Sequence, residues 1–259
     1  MRIENKAMAE STKTIEIECL RFNPETDAEP HYQTYRVPFT DDMSVLQGLQ
    51  YIKDELDGSL TFRWSCRMAI CGSCGSMINQ VPHLSCETFL RDYYPGKVRV
   101  EPLNHFPILR DLAIDQTDFV KNKLPSVKPY LIPKEQKTIE QGEYLQTPGQ
   151  MHKYYHYSEC INCLLCYAAC PQYGLDSKFT GPAAIALMHR YNADSRDGGR
   201  AARAELANSD EGVWGCTLVG YCSEVCPKGV DPAHAVNQNK MTSAVDYFMR
   251  FLRPYGGKR

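Results

Sequence analysis

The sequence predicts an α+β protein of two domains, a sheet-forming domain over residues 13–115 and a helical domain over 116–259. Three observations predict it. The first half alternates apolar and polar residues at the period of strands. The second half opens its apolar runs with proline and fills them with helix formers. Each half also carries its own, differently spaced, set of cysteines.

In the first half, Thr14-Ile15-Glu16-Ile17-Glu18-Cys19 alternates as a half-buried strand does. Tyr35, Val37 and Phe39 continue a second strand that stops near Pro38. Val45, Leu49, Ile52 and Leu56 then recur at helical spacing, with Thr40 or Asp41 placed to cap the start. Val98 and Val100 mark a later strand. A hairpin, a helix and further strands packed over it fit a β-grasp sheet, a topology that periodicity alone leaves open. In the second half, Pro182 opens GPAAIALMHRY at the helical position proline favours. Asp231 is placed to cap VDPAHAVNQNKM, with Pro232 just inside. The segment 125–148, with four prolines, reads as irregular chain that wraps one domain onto the other.

Composition narrows the function. A hydrophobic fraction of 43% is enough for packed cores, and a net charge of −2 excludes a basic nucleic-acid footprint. The first twenty residues are polar and show neither a secretory h-region nor the look of a transit peptide, and Met8 offers an alternative start after residues 1–7. No apolar stretch approaches the roughly 18–20 residues of a membrane span, so the expectation is a soluble, cytosolic chain. In that compartment twelve cysteines point to metal ligation over disulfides.

Cys66, Cys71 and Cys74, with Cys86 farther on, have the C-x4-C-x2-C spacing of plant-type ferredoxins, which hold a 2Fe–2S cluster. Gly72 and Gly75 let the loop's backbone approach the cluster closely. A zinc knuckle is the alternative, but zinc sites usually show two separate C-x2-C pairs. Cys160, Cys163, Cys166 and Cys170-Pro171 form the bacterial ferredoxin run C-x2-C-x2-C-x3-C-P. The same template fits Cys216, Cys222 and Cys226-Pro227 with Val219 in the second slot. If the two half-motifs exchange their last cysteines, Cys160, Cys163, Cys166 and Cys226 hold a 4Fe–4S cluster. Cys170, Cys216 and Cys222 are then left with three ligands, as a 3Fe–4S cluster requires, a 4Fe–4S cluster with an outside ligand being the competitor. Cys19 is left over and reads as a buried structural thiol. His83, His152 and His156 lie near cysteines without metal-ligand spacing. Three inequivalent clusters suggest an electron wire whose source and sink lie elsewhere, because no dinucleotide fingerprint or P-loop is present.

RWSCRMAICGSCGSMI, CINCLLCYAACP and CTLVGYCSEVCPKGVDP resemble the iron–sulfur subunit of the succinate dehydrogenase and fumarate reductase family, a likeness running from about Thr14 to Phe251. The resemblance implies a plant-ferredoxin-like β-grasp domain, a helical bacterial-ferredoxin-like domain and the cluster order 2Fe–2S, 4Fe–4S, 3Fe–4S. It further implies a partner flavoprotein carrying FAD, and membrane-anchor subunits that bind quinone beside the 3Fe–4S cluster. The chain would then sit on the cytoplasmic face of the bacterial inner membrane, with the basic tail of Arg250, Arg253, Lys258 and Arg259 among Phe248, Phe251 and Leu252 near it. Gly174 and Leu175 after Cys170, and Ala69, match the menaquinol-using fumarate reductases of the enterobacterial type over the dehydrogenases. Thr217, Leu218 and Lys240 are the candidates for lining a quinone pocket. Two departures stand out: Leu164 where glycine is common, and Asn237 in place of a glutamine associated with that pocket. The competing classes are a succinate dehydrogenase subunit, a free-standing multi-cluster ferredoxin and a zinc-stabilised module.

Overall fold

The computed structural model describes residues 13–252, the side chains of the last three excepted. Met8 and residues 1–7 lie outside the described residues, as do Arg253, Lys258 and Arg259 and the side chains of Arg250, Phe251 and Leu252. The chain divides into two compact units. One runs to Gln116 and also takes in Ile161–Ala169; the other comprises Thr117–Cys160 and continues from Cys170.

The first unit is built on a five-stranded sheet in the order β2-β1-β5-β3-β4. Strand β1 (Thr14–Arg21) pairs antiparallel with β2 (His31–Pro38) and parallel with β5 (Val98–Glu101). Strand β3 (Gly75–Ile78) is antiparallel to both β5 and β4 (Val81–Leu84). The alternation in β1 turns Ile15, Ile17 and Cys19 into a core they share with Val37, Val45, Leu49, Ile52, Val98 and Val100. Helix α1 (Val45–Tyr51) lies across this sheet so closely that a Cβ on Gly48 would come 2.6 Å from Ile17 Cδ1. Its cap is Ser44, in a capping box with Gln47, and neither Thr40 nor Asp41. Thr40 instead bonds Asp42 and its carbonyl accepts from Met43, so these residues form a turn and the helix starts after it. Beyond Tyr51 the helix relaxes into a π turn, Ile52–Leu56, which leaves Leu56 exposed where the helical period placed it inward. The β3–β4 hairpin, absent from the sequence reading, turns on Asn79 and Gln80, both at positive φ as a type I′ turn needs. Strands β6 (Ile108–Arg110) and β7 (Ala113–Ile114) form a small second hairpin.

A charged network closes this unit. Arg21 donates from Nε to Asp111 Oδ1 at 3.0 Å and from Nη2 to Ser59 at 2.7 Å, and it also bonds Asp57 and Tyr35. Asp57 accepts further from the Ser59 hydroxyl and amide and from the Tyr35 hydroxyl at 2.7 Å. The Ser59 hydroxyl, then Tyr35 and Arg21, hold the Asp57 carboxyl well below the usual carboxylate range against the opposing effect of burial. A depressed folded pKa gives stability that is fully present above the unfolded value, about 3.9, and is lost only as pH falls below it. Asp57→Asn is therefore expected to cost about 1–3 kcal/mol. The deficit should be the same near neutrality as at about pH 5, since both lie above the unfolded carboxylate value. Urea unfolding at the two pH values checks this; a deficit that shrinks between them would contradict the assignment.

The second unit is helical but less continuous than its Ala-rich runs suggest. In chain order the α-helices are α2 (Leu124–Ser126), α3 (Pro148–His152), then α4 (Leu165–Ala168), which belongs to the first unit, α5 (Pro171–Leu175), α6 (Pro182–Asn192), α7 (Arg200–Ala207), α8 (Tyr221–Glu224) and α9 (Pro232–Leu252). Pro182 opens α6 as expected, and Asp231 caps α9 by accepting from the His234 amide at 3.0 Å. The irregular segment 125–148 is tied into its own unit. Arg203 donates to the carbonyls of Lys128 and Tyr130, and the Ile132 carbonyl accepts from the Gly198 amide at 2.7 Å. Among the described residues no helix is long and apolar enough to cross a membrane.

Candidate metal centres

The loop that follows α1 has Arg67 and Ala69 in the left-handed region and threads its amides among thiols. Cys66 Sγ accepts from the amides of Met68 (3.4 Å), Ile70 (3.4 Å) and Cys71 (3.3 Å), Cys71 Sγ accepts from Cys66 (3.5 Å), and Cys86 Sγ accepts from Ala69 (3.3 Å). Cys74 lies against the Cys86 thiol, so all four predicted ligands gather at this loop. The Ser73 hydroxyl, over the opposing effect of burial, lowers the Cys71 thiol to about 6, while burial pushes Cys74 up to about 12. Four crowded thiols cannot all ionise in mutual repulsion unless a positive core lies among them, and amides aimed at sulfur are what an iron–sulfur cluster's ligands accept. Among the described residues no three His, Cys, Asp or Glu side chains converge as a single ion requires. A cluster, by contrast, takes its thiolates at separate corners. The donor set fits a cluster.

Gly72 and Gly75 carry a reason the sequence reading did not find. A Cβ on Gly72, at φ +73°, would stand 2.9 Å from Cys163 Cβ and 3.0 Å from both Cys163 Cα and the Ile161 carbonyl oxygen. One on Gly75 would meet the Cys163 carbonyl oxygen at 3.2 Å. The two glycines form the seat of the second cysteine run.

That run and the Val219-containing run adopt the same local conformation. Asn162 and Leu218, in equivalent slots, have φ of 53° and 59°, and Leu164 and Gly220 have 66° and 90°. Each is followed by one helical turn, α4 and α8, and the equivalent amides of Tyr167 and Ser223 donate to the carbonyls of Leu164 and Gly220. Leu164 thus stands at a left-handed position, which explains glycine as the common residue there. It is tolerated because its side chain is buried, whereas a Cβ on Gly220 would find nothing within 4 Å.

The structure groups the remaining predicted ligands by unit. Cys163 and Cys166 belong to the first unit. In the second, Cys160 and Cys226 pack against one cluster of Tyr157, Ala186, Val230 and Ala235, and Cys226 Sγ accepts from the Val230 amide at 3.4 Å. Cys170, Cys216 and Cys222 are near enough to feel one another's charge: burial first, then Cys170 and Cys216, pushes Cys222 up to about 12. Cys216 Sγ accepts from the Leu218 amide at 3.3 Å and Cys170 Sγ from Tyr173 at 3.5 Å. This repeats the amide-to-sulfur pattern of the first loop, so these donors fit cluster ligation too. Cys19 is buried on β1, and burial pushes its thiol up to about 12.

Of the candidate pocket residues, Lys240 is no solvated helix lysine. Its Nζ donates to the Cys216 carbonyl at 2.6 Å and lies 5.5 Å from the centre of the Trp214 ring. Thr217, Leu218 and Asn237 are exposed. The groove on this face, about 410 Å³, is lined by Ala204, Asn208, Trp214, Ser243, Asp246 and Tyr247, and not by Thr217 or Leu218. Trp214 belongs to no motif; a tryptophan two residues before Cys216, in a chain with only two, is its signal in the sequence.

A family profile described as 2Fe-2S iron-sulfur cluster binding domain matches residues 16–121, and one described as 4Fe-4S dicluster domain matches residues 156–230. The chain is 54% identical over 256 residues to the fumarate reductase iron-sulfur subunit of Haemophilus influenzae, covering 95% of this chain and 99% of that one. It is 56% identical over 242 residues to that of Escherichia coli, covering 93% and 98%. The succinate dehydrogenase iron-sulfur subunit of Coxiella burnetii is more distant, at 36% over 225 residues, covering 85% and 92%. Among solved structures, a chain of the Mycobacterium smegmatis Sdh1 complex in the apo form superposes with a TM-score of 0.77 at 25% identity, over 94% of this chain and 99% of that one. The paired cysteine domains and this run of relatives place the chain in the family of fumarate reductase and succinate dehydrogenase iron–sulfur subunits.

Proposed function

We propose that this chain relays electrons between a quinol at membrane-anchor subunits and the FAD of a partner flavoprotein, within a quinol:fumarate reductase at the cytoplasmic face of the inner membrane. The observation that carries the reading is the presence of three inequivalent thiol sets in one chain that has no nucleotide fingerprint of its own. In this reading Cys66, Cys71, Cys74 and Cys86 hold the 2Fe–2S cluster, and Cys160, Cys163, Cys166 and Cys226 the 4Fe–4S cluster. Cys170, Cys216 and Cys222 hold the 3Fe–4S cluster. The domain boundary near residue 115 is part of the proposal, with Ile161–Ala169 returning to the first unit as the segment that carries Cys163 and Cys166 toward the first thiol set's loop.

When bound, the clusters accept and release single electrons, which splits the two-electron chemistry of quinol and flavin into single steps. The residues do the rest. The amides of Met68, Ile70 and Cys71 stabilise added negative charge on the Cys66 sulfur, and such bonds raise a cluster's potential. The Leu218 amide does the same at Cys216. Lys240, held on the Cys216 carbonyl, stands beside the third thiol set, where an ammonium would favour an electron-rich cluster and attract a quinone oxygen. Gly174, Leu175, Ala69 and the identity of the relatives favour menaquinol-driven fumarate reduction; the same relay in a succinate:quinone dehydrogenase is the second reading, supported by the more distant relatives.

The isolated chain, reconstituted with iron and sulfide, is expected to bind a dinuclear, a tetranuclear and a trinuclear cluster and to reduce no fumarate with a dye donor. Adding the flavoprotein should restore turnover. Fumarate reduction by the flavin-free chain would overturn the reading.

A further inference from the structure

Gly72 and Gly75 each directly follow a cysteine of the first thiol set, and each presses its backbone on Cys163 of the second. A methyl group at this seat displaces a neighbour. The crevice whose walls include Gly72, Ser73, Gly75, Leu103 and Cys163 offers only about 10 Å³, the lower edge of what one water needs. The segment cannot easily retreat either. Phe106 packs against Tyr167 with ring centres 6.2 Å apart, His105 bonds the Ala168 backbone, and Leu103 and Leu165 close over Gly75, each 3.2 Å from where its Cβ would be.

Resting on the ligand assignment proposed above, we propose that Gly72 and Gly75 are positioning residues that set the electron passage between the first and second clusters. The contact of the Cys71–Gly72 and Cys74–Gly75 backbone with Cys163 is the crossing point. One electron passes there, unaccompanied by a proton and with no bond formed or broken. Quinol and flavin at the two ends are its source and sink. A side chain at Gly72 stands inside the 3.0 Å that real Cβ atoms keep from such neighbours, and one at Gly75 meets the Cys163 carbonyl at 3.2 Å. The anchored Cys163 segment therefore gives way, more at the first glycine than at the second, and the gap lengthens.

The test uses the intact complex, reduced until both centres are paramagnetic, and reads the magnetic coupling between them as broadening and faster relaxation of the dinuclear signal. Gly72→Ala adds a left-handed strain to the 2.9 Å contact; Gly75→Ala, at the start of β3 and not at positive φ, adds the 3.2 Å contacts alone. Gly142→Ala has a comparable positive φ with nothing within 4 Å and serves as the strain control. Both seat variants should keep the intrinsic signal of each cluster at full spin count. They should weaken the coupling and slow transfer between the centres, several-fold in Gly72→Ala and less in Gly75→Ala, while Gly142→Ala changes neither. If Gly72→Ala loses a cluster, Gly75→Ala decides. Full signals with wild-type coupling in Gly75→Ala would overturn the proposal. Cys163→Ala tests the assignment separately: a tetranuclear signal that survives it would defeat the ligand set and not the seat.

Discussion

Arg203→Met is expected to destabilise the chain by about 3–5 kcal/mol, the cost of leaving a buried partner charge unpaired. Among the described residues Arg203 is the largest fully buried side chain, 1% exposed, and its guanidinium meets Asp197 in a two-pronged bond of 2.7 and 3.0 Å. It also donates to the Lys128 and Tyr130 carbonyls and to Asn192, which fastens the segment before Pro133 to α7. Asp197 in turn accepts from the amides of Ile132 and Gly199. A Cβ on Gly199 would stand 2.6 Å from Ile132 Cδ1 and 2.9 Å from Arg203 Nη1, so any larger residue there pushes on the guanidinium. Burial alone would raise the Asp197 carboxyl, but Arg203 and the two amides hold it below its usual value. Removing the arginine leaves a desolvated carboxylate, so in the variant Asp197 should titrate upward and the deficit should narrow as pH falls. Arg203→Lys should recover little, because a point charge cannot replace the planar fork. Denaturant midpoints of the variants, alone and combined with Asp197→Asn, check this. A double variant as unstable as the sum of the singles would show that the pair is not coupled.

What the sequence made legible was local. The alternation of Ile15, Ile17 and Cys19, proline at the start of α6 and the Asp231 cap each depend on residues within one turn or strand, and each stands where it was expected. The cysteine runs were legible because the spacing within each run is itself local. What escaped depends on neighbours distant in sequence or on subtle local competition. The helix cap moved to Ser44 because Thr40 was engaged in its own turn. The β3–β4 hairpin turns on Asn79-Gln80, which lacks the glycine that usually announces such a turn. The return of Ile161–Ala169 to the first unit, and with it the reason for Gly72, required knowing which residue of the other motif comes to rest there.

Val219→Cys is expected to convert the third centre. Val219 occupies the slot that Cys163 fills in the preceding run, and the two runs share positive φ at the same two slots, the same turn bonds and the same following helix. A cysteine at 219 should therefore present its thiol as Cys163 does. Val219 is 53% exposed, so it has no core to disrupt, and an exposed substitution of this kind changes stability by no more than about 0.5 kcal/mol. A fourth thiolate beside Cys170, Cys216 and Cys222 supplies the missing corner, and a fourth iron should be retained. The centre should change from one that is paramagnetic when oxidised to one that is paramagnetic when reduced. Its potential should fall, because the added negative ligand stabilises the more positive, oxidised core. Exchange with quinone should slow without vanishing, since Lys240 and the other thiols keep their places. Electron paramagnetic resonance of oxidised and reduced complex, with iron counted per chain, reads all of this. A normally folded variant that keeps the oxidised trinuclear signal unchanged would show that residue 219 does not face the cluster, and the pairing of the two half-motifs would fall with it.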